Sequence, residues 1–463
     1  MGNKDGIKTL NGDFVYWRQS NNNITPNHKK EIVFRKLNID IEFLSWVNNF
    51  FGKKSILLYN QYVLFRLLFF YSLILDRYQV NLILSDALAI KVLNIMCYYL
   101  LKFIYPIIPV LKYIIRSKAP LRLGLAGGGS DVSPYSDTYG GLILNATINL
   151  YAYCTIEETK DNLITINGYD SGCFKTFVNK NILDIDGEAS LIKGVYNRIQ
   201  KEYPFETSGF KITTYNDAPA GSGLGTSSTM VVCILKCFVE WLSLPLGDYE
   251  ISRLAYEIER KDLGLSGGKQ DQYAATFGGF NYMEFLQNDI VIVNPLKVKR
   301  WIVDELEASM LLYFTGRSRS SAAIIDEQRK NTMSGNTVAI EAMHCIKQSA
   351  VDMKLAVLKG DMTAFSNILG KGWEDKKKMA SAISNPVIQE AFDIATAAGA
   401  TAGKVSGAGG GGFIMFCVEP TRKKEVINAL GKLDGFVMPF NFVEGGAHGW
   451  KIYSTDKVST LSK

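Results

Sequence analysis

The stretch APAGSGLGTSSTM, residues 218–230, is the most informative part of this chain. It places Gly221, Gly223 and Gly225 directly before a run of hydroxyl residues and the apolar segment VVCIL, residues 231–235. Glycine lets a backbone approach an anion closely, and the first turn of a helix presents N–H groups that no helical carbonyl accepts. The stretch therefore predicts a loop that holds phosphate at the start of a helix.

Two common phosphate-binding motifs do not fit this loop. No lysine follows the glycines, as a P-loop requires, and Ser228 stands where a dinucleotide fingerprint has its third glycine. The simpler alternative is a tight turn between a strand and a helix, with Thr226 or Ser227 capping the helix. Two further glycine clusters, residues 127–129 and 407–412, also lie next to predicted strands. Three such loops favour phosphate binding over the simple turn.

From Arg116 onward, strand and helix patterns mix without strict strand–helix–strand alternation. Alternating, β-branched segments predict strands beside the glycine clusters, and apolar spacing predicts helices over residues 227–242 and 248–264. Two longer helical stretches, 339–359 and 385–398, separate the apolar strand MLLYF from the last glycine cluster. This mixture predicts an α+β protein built in two lobes.

The first 117 residues differ in composition from the remainder. They have a formal charge of roughly +8 and the other residues roughly −2, so the overall +6 does not indicate nucleic-acid binding by the main body. Two apolar stretches, 56–75 and 92–115, contain Arg66 and Lys102, and a charge at the centre of a bilayer is costly. We therefore predict an apolar helical extension, with membrane association possible only through residues 56–115.

The cysteines indicate a reducing environment. Seven of them are scattered along the chain, without a CxxC pair or a Cys/His cluster, which is not typical of a structural zinc site or a secreted disulfide framework. The polar first residues do not resemble a secretory signal. A cytoplasmic location is expected, and the sequence predicts no oligomeric state.

Three segments resemble the three motifs of the GHMP kinases, the family of galactokinase, homoserine kinase, mevalonate kinase and phosphomevalonate kinase. PAGSGLGTSS resembles the family loop P-x-x-x-G-L-G-S-S-A, which surrounds the phosphates of ATP, and the resemblance extends from Arg116 to about Tyr453. It implies a two-lobed fold, with an N-terminal lobe like ribosomal protein S5 and a ferredoxin-like C-terminal lobe. The predicted domains are the extension 1–112, an ATP-binding domain 113–300 and a C-terminal domain 301–455.

Within the family, RSKAPLRLGLAGGGSDV and SGGKQDQYAATFGG are most similar to the D-glycero-D-manno-heptose 7-phosphate kinases. This resemblance implies phosphoryl transfer from ATP, with Mg²⁺, to the C1 hydroxyl of a small sugar phosphate, on the route to nucleotide-activated heptose. A kinase for a free sugar such as L-fucose or galactose is the first alternative, because a free sugar needs no second cationic patch. A catalytically silent protein of the same fold is another, and the intact motifs count against it.

The resemblance also assigns roles to individual residues. Asp271 is expected to accept the proton of the sugar hydroxyl, with a helix cap as its alternative role, and Arg122 to pair with it and keep it ionised. Ser227 and Glu259 are expected to hold Mg²⁺, which prefers oxygen ligands, with a solvated helix position as the alternative for Glu259. The residues expected to surround the ATP phosphates are Pro219, Gly221, Ser222, Gly223, Leu224, Gly225, Thr226, Ser227 and Ser228.

The acceptor sugar is expected to lie against the first and third glycine clusters. Asp131 matches the sugar-binding aspartate of galactokinase, and a carboxylate can accept two hydroxyl hydrogen bonds. The residues expected to bind substrate are Gly128, Gly129, Asp131, Arg319, Gly409 and Gly410. A second phosphate needs a cation of its own, and that choice stays open among Arg317, Arg319, Lys193 and Arg198.

Overall fold

The computed structural model describes residues 113–169, 171–317 and 321–453. The predicted extension over residues 1–112, and with it nearly all of the apolar region 56–115, lies outside these residues. The last three residues of that region, 113–115, begin the first strand. In the part of the chain that the structure describes, no helix is long and apolar enough to cross a membrane.

An eight-stranded sheet forms the first lobe. Its strands are β1 Tyr113–Ala126, β2 Gly141–Glu158, β3 Leu163–Gly168, β4 Cys173–Val178, β5 Phe210–Asn216, β6 Phe280–Phe285, β7 Val291–Pro295 and β12 His448–Tyr453. The order is β12-β1-β2-β5-β3-β4, and β6 pairs with β2 and carries β7. The predicted strands beside the first glycine cluster and before the phosphate loop are confirmed as β1, β2 and β5. Both glycine segments therefore leave the sheet from strands whose register is fixed.

Five helices belong to this lobe: α1 Tyr135–Tyr139, α2 Ser190–Glu202, α3 Thr226–Leu242, α4 Asp248–Glu257 and α5 Gln270–Phe277. Helix α3 is apolar on nearly all sides and is buried against the sheet, where Val231, Ile234 and Phe238 pack with Ile156 and Ile212. Burial on all sides explains why its sequence has no polar stripe. The predicted helix over residues 227–242 is confirmed.

Two details of the predicted helices were wrong. Gly225, with φ +78°, is the residue that precedes α3, so neither Thr226 nor Ser227 is the helix cap. A left-handed residue directly before a helix suits glycine, which has no Cβ. The helix predicted over residues 248–264 ends early, because Ile258–Asp262 forms a π turn in which the N–H of Leu263 donates to the carbonyl of Ile258.

The second lobe contains a four-stranded antiparallel sheet of β8 Met310–Phe314, β9 Ala400–Val405, β10 Phe413–Val418 and β11 Phe436–Met438. Its order is β11-β8-β10-β9, so the four strands taken in chain order lie as 4-1-3-2, the arrangement of a ferredoxin-like sheet. The helices of this lobe are α6 Arg300–Ser309, α7 Ser321–Met333, α8 Thr337–Lys359, α9 Met362–Lys377, α10 Pro386–Ala398 and α11 Lys423–Leu430.

The two lobes share a core, and the chain returns from the second lobe to the sheet of the first. One cluster of buried side chains joins Leu123 and Leu144 of the first sheet to Leu312, Met353 and Phe413 of the second lobe. The last strand, β12, returns to the first sheet and pairs antiparallel with β1. Because this core lies between the lobes, the glycine loops at its edge are held at fixed positions relative to each other.

Candidate active site

The phosphate loop, residues 217–225, connects β5 to α3 and depends on glycine backbone conformations. Gly221, Gly223 and Gly225 have φ angles of +71°, +79° and +78°, all in the left-handed region. A Cβ at Gly223 would lie 2.4 Å from the carbonyl oxygen of Ser406. The glycines are therefore required by both conformation and space, and the loop leads directly into the N–H groups of the first turn of α3.

The third glycine loop, residues 406–412, packs against the phosphate loop. The N–H of Phe413 donates to the carbonyl of Ser222 at 2.9 Å, and the Ser406 hydroxyl donates to the carbonyl of Gly223, also at 2.9 Å. Gly409 and Gly410 contact a different segment: the N–H of Gly410 donates to the carbonyl of Ile383, and a Cβ at Gly409 would lie 2.9 Å from the same oxygen. The two loops are therefore in direct contact, and the sugar-binding role of Gly409 and Gly410 stays a prediction.

Arg122 and Asp271 form the ion pair that the resemblance implies. The Nε and Nη2 atoms of Arg122 lie 2.8 and 2.7 Å from Oδ1 of Asp271, and Nη1 donates to the carbonyl of Gly223 at 2.6 Å. Arg122 is buried on β1, whereas the Asp271 side chain is 22% exposed in the first turn of α5. A Cβ at Gly225 would lie 3.0 Å from Cγ of Asp271. The carboxylate thus stands directly beside the phosphate loop.

Ser227 and Glu259 also come together. The Ser227 hydroxyl donates to Oε1 of Glu259 at 3.1 Å, and Nε2 of Gln272 donates to Oε2 at 2.5 Å and to the Ser228 hydroxyl at 3.1 Å. Glu259 is only 1% exposed, so the alternative of a solvated helix position was wrong. The π turn directs this side chain inward, and π turns occur frequently at functional sites.

The Ser227–Glu259 pair fits Mg²⁺. A buried carboxylate and a hydroxyl beside a phosphate loop are hard oxygen ligands, and magnesium bound with a nucleotide needs only one or two protein carboxylates. Among the described residues, no group of three or more His, Cys, Asp or Glu side chains could hold a metal ion. The donor set therefore suits an ion that takes its remaining ligands from phosphates and water.

Asp131 holds the start of helix α5. Its Oδ2 accepts from the backbone N–H groups of Lys269 and Gln270 at 2.8 and 3.0 Å, and its Oδ1 accepts from the N–H of Gly129 and the side chain of Gln270. Burial raises the pKa of this carboxyl, against the lowering effect of the backbone donors. The carboxylate therefore positions the turn that carries Asp271, and its predicted contact with sugar hydroxyls stays a prediction.

Two of the four candidate phosphate-binding cations are committed to other partners. Lys193 pairs with Asp186 at 2.5 Å, and Arg198 pairs with Glu202, Glu257 and Asp262. Arg319 lies outside the described residues, and Arg317 is exposed beside the third glycine loop, where its carbonyl accepts from the N–H of Gly412. A narrow crevice beside Gly129 offers another cation, and its lining residues are Gly129, Val132, Ser133, Tyr135, Gln328, Arg329, Thr332 and Met343. Sequence reasoning missed Arg329, because nothing in its helical segment marks it.

Sequence reasoning also missed two buried lysines near the glycine loops. Lys376 in α9 and Lys404 in β9 are 3% and 5% exposed. Lys376 lies in the run EDKKK, residues 374–378, which is typical of a solvated helix end. Only the tertiary structure shows that the first lysine of this run faces inward and the third faces solvent.

Comparisons with known proteins identify the family. The model of the GHMP kinases N-terminal domain matches residues 190–279, and that of the GHMP kinases C-terminal domain matches residues 353–433. The D-glycero-alpha-D-manno-heptose 7-phosphate kinase of Campylobacter jejuni is 49% identical over 338 residues, covering 73% of this chain and 99% of that enzyme. The chain belongs to the GHMP kinase family. The predicted family and kinase class are confirmed.

Two further relatives bear on the substrate. A crystal structure from Bacteroides thetaiotaomicron, described as a D-glycero-D-manno-heptose 1-phosphate kinase, is 71% identical and covers 73% of this chain and all of its own, with a TM-score of 0.64. The L-fucokinase/L-fucose-1-P guanylyltransferase of Bacteroides fragilis is 28% identical, over 65% of this chain and 34% of that protein. The two heptose kinases are named for different phosphate positions.

Proposed function

We propose that this kinase transfers the γ-phosphoryl group of ATP to the C1 hydroxyl of D-glycero-D-manno-heptose 7-phosphate, a step toward nucleotide-activated heptose. The observation that carries this proposal is the Arg122–Asp271 pair, held directly against the phosphate loop. A carboxylate beside a phosphate-binding loop is positioned to receive the proton of an attacking hydroxyl. The 49% identical relative named for the 7-phosphate supports the choice of sugar.

In the proposed reaction, the C1 oxygen forms a bond to the γ-phosphorus as the bond to the bridging oxygen breaks, and ADP leaves with that electron pair. The hydroxyl proton passes to Asp271. Its Oδ1 is already bonded to Arg122, and among the described residues no hydrogen bond involves Oδ2. We therefore assign Oδ2 as the proton acceptor, while Arg122 stabilises the negative charge at the transfer point.

Ser227 and Glu259 would hold Mg²⁺ beside the phosphate loop. When bound, the ion would neutralise charge on the ATP phosphates. Gln272 fixes the Glu259 carboxylate through Oε2, while Oε1 accepts from Ser227 and lies 3.7 Å from Nη1 of Arg260. The first turn of α3 and the glycine backbone would supply the N–H donors to the phosphates.

The second phosphate of the substrate needs a cation on the acceptor side. We assign it to Arg329, because this residue lines the crevice beside Gly129 and no ion pair engages it among the described residues. Gln328, Ser133 and Thr332 line the same crevice, and Arg329 is exposed beside them, so we assign only the phosphate to Arg329 and place no sugar atom inside the crevice. A free hexose would leave this part of the crevice without a partner.

The direct test measures turnover of the full-length chain with Mg-ATP and a panel of acceptors. The panel contains the heptose 7-phosphate, the heptose 1-phosphate, the unphosphorylated heptose, L-fucose and galactose. We expect turnover with the 7-phosphate at a kcat/KM at least on the order of tenfold above every other acceptor, because the others have no phosphate in the position that pairs with Arg329. Arg329→Gln should raise KM for the 7-phosphate by roughly tenfold and leave nucleotide KM unchanged.

Other acceptors would redirect the proposal. Turnover with the 1-phosphate alone would move the transfer to C7, in agreement with the name of the 71% identical structure. Turnover with a free sugar would keep the phosphoryl-transfer chemistry and discard the heptose phosphate. An unchanged KM in Arg329→Gln would remove Arg329 from the acceptor site.

Glu259→Gln should make the enzyme demand more magnesium. The amide keeps the shape of the side chain but loses the negative charge that attracts a divalent cation, so the Mg²⁺ concentration for half-maximal rate should rise on the order of tenfold or more. The measurement is a magnesium titration of the initial rate at saturating nucleotide. Glu257→Gln, at the pair with Arg198 of α2, is the matched control. Equal magnesium requirements in both variants would contradict the assignment.

A further inference from the structure

Two lysines of the second lobe carry amino groups into the region between the lobes. Lys404 lies on β9 and Lys376 in the last turn of α9, and both are almost completely buried. A buried ammonium group is costly unless hydrogen bonds or an opposite charge compensate for the lost water. The partners of each amino group therefore indicate what it does.

Lys404 has a structural explanation. Its Nζ donates to the carbonyls of Gly124 and Leu125 at 3.0 and 3.3 Å, and so joins β9 of the second lobe to β1 of the first. Burial lowers its pKa well below the ordinary lysine value, and the charges of Lys376 and Arg122 add to the effect. Lys404 is best understood as a link between the two lobes.

Lys376 has no such explanation. Among the described residues, its one hydrogen-bond acceptor is the carbonyl of Gly407, and no carboxylate forms an ion pair with it. An ammonium group has three donors, so two of them have no protein partner in the described part of the chain. The charged groups that act on its Nζ are Arg122 and Asp131, and the two acceptor oxygens of Asp131 are taken by other donors.

The position of Gly407 places this ammonium next to a residue that touches the phosphate loop. A Cβ at Gly407 would lie 2.7 Å from the Cα of Gly223, so the residue that anchors Lys376 touches the centre of the phosphate loop. The carbonyl of the same Gly223 accepts from Arg122, which pairs with Asp271. Lys376, Arg122 and Asp271 therefore surround one side of the phosphate loop from three different elements.

We propose that Lys376 is a further catalytic residue, whose ammonium group binds the γ-phosphoryl group and stabilises its charge during transfer. The proposal rests on the proposed phosphoryl transfer, and it is independent of which sugar accepts the group. Electrostatic stabilisation of a transferring phosphoryl group by fixed cations is a large part of catalysis in kinases. Because Lys376 donates to Gly407, phosphoryl transfer would also depend on the position of the third glycine loop.

The titration of Lys376 is consistent with this role. Burial and, to a smaller extent, the charge of Arg122 lower its pKa to about 8, although Asp131 acts in the opposite direction. The group is thus protonated at neutral pH and loses its proton as the pH rises through about 8. Because kcat/KM depends on the protonation of the free enzyme, kcat/KM should fall above this pH. A bound phosphoryl group would stabilise the protonated lysine, so the fall in kcat should occur at a higher pH.

Lys376→Met and Lys376→Arg test the proposal, with Lys378→Met as the matched control. Lys378 lies two residues further on, is 55% exposed and pairs with Asp375. Calorimetry would compare the affinity for ADP with that for a non-hydrolysable ATP analogue, and steady-state kinetics would give kcat and the pH profile. In Lys376→Met we expect ADP affinity within about threefold of wild type, about tenfold weaker analogue binding and a kcat lower by on the order of 100-fold.

Lys376→Arg keeps the positive charge, and it still tests the proposal if the methionine variant fails to fold. It should restore discrimination between the analogue and ADP, and it should remove the fall of kcat/KM near pH 8, because arginine does not titrate there. Unchanged discrimination and unchanged kcat in both variants would overturn the proposal. If wild type turns over none of the sugars, the proposed substrate fails, yet the ratio of analogue to ADP affinity still decides the role of Lys376.

Discussion

Asp271→Asn should lower kcat by on the order of 10²- to 10⁴-fold, the contribution usual for a general base. Asparagine keeps the size of the side chain and can still accept a hydrogen bond from Arg122, but it cannot take the proton of an attacking hydroxyl. The substitution removes only the ability of this side chain to take a proton at the position of Oδ2. The KM for nucleotide should therefore stay within about threefold of wild type.

This substitution also leaves Arg122 without its opposite charge. Breaking a buried ion pair costs about 3–5 kcal/mol when both groups are inaccessible to water. The Asp271 side chain is 22% exposed, so we expect a smaller loss, visible as a lower melting temperature. The activity must therefore be measured well below the melting temperature of the variant, with circular dichroism as the check on folding.

Asp262→Asn is the matched control for Asp271→Asn. Asp262 also pairs with an arginine, because Nη2 and Nε of Arg198 lie 2.5 and 2.7 Å from its two carboxylate oxygens. That pair joins α2 to the last residue of the π turn, and among the described residues neither side chain bonds to a glycine loop. The control should keep kcat near the wild-type value. A kcat in Asp271→Asn within threefold of wild type would mean that the reaction needs no proton acceptor at this position.

The local patterns of the sequence predicted those parts of the fold that local chemistry determines. Alternating β-branched residues predicted β2, the glycine clusters predicted loops that in the structure use left-handed backbone, and the apolar run after residue 230 predicted α3. Each depends on a few neighbouring residues. The pair of Arg122 and Asp271 was available only through the family resemblance, because no local rule relates two residues 149 positions apart.

The features that sequence missed depend on tertiary contacts. The return of β12 to the first sheet is a pairing across more than 300 residues, and no pattern within β12 records its partner. The π turn at Glu259 interrupts a sequence with ordinary helical spacing. Lys376 and Lys378 have the same local composition, and only the packing of α9 against the third glycine loop buries the first of them.

Gly223→Ala should impair both folding and nucleotide binding. At φ +79° an alanine is strained by roughly 1–2 kcal/mol, and its Cβ would lie 2.4 Å from the carbonyl oxygen of Ser406, a backbone atom that no side-chain rotation can move. Relief requires separation of the phosphate loop from the third glycine loop. We expect a loss of at least about 2 kcal/mol in the free energy of unfolding, measured by urea denaturation.

The same displacement should reach the catalytic pair. The carbonyl of Gly223 accepts hydrogen bonds from Arg122 and from the Ser406 hydroxyl, so a shift of this peptide moves the arginine that orients Asp271. A displacement of about 1 Å can cost on the order of 100-fold in rate. Nucleotide affinity, measured by calorimetry, should fall by about tenfold or more, because the N–H groups of the loop no longer converge on one phosphate.

Gly445→Ala separates this effect from a general cost of replacing loop glycines. Gly445 lies outside the left-handed region, and a Cβ there would meet no atom within 4 Å. It should therefore keep wild-type turnover and have the same or a slightly higher stability, since alanine restricts the unfolded chain without straining the folded one. Gly223→Ala would equal Gly445→Ala in both unfolding free energy and nucleotide affinity only if the contact between the two loops could accommodate a methyl group. In that case the hydrogen bond from Arg122 to the Gly223 carbonyl would no longer explain how Asp271 is held.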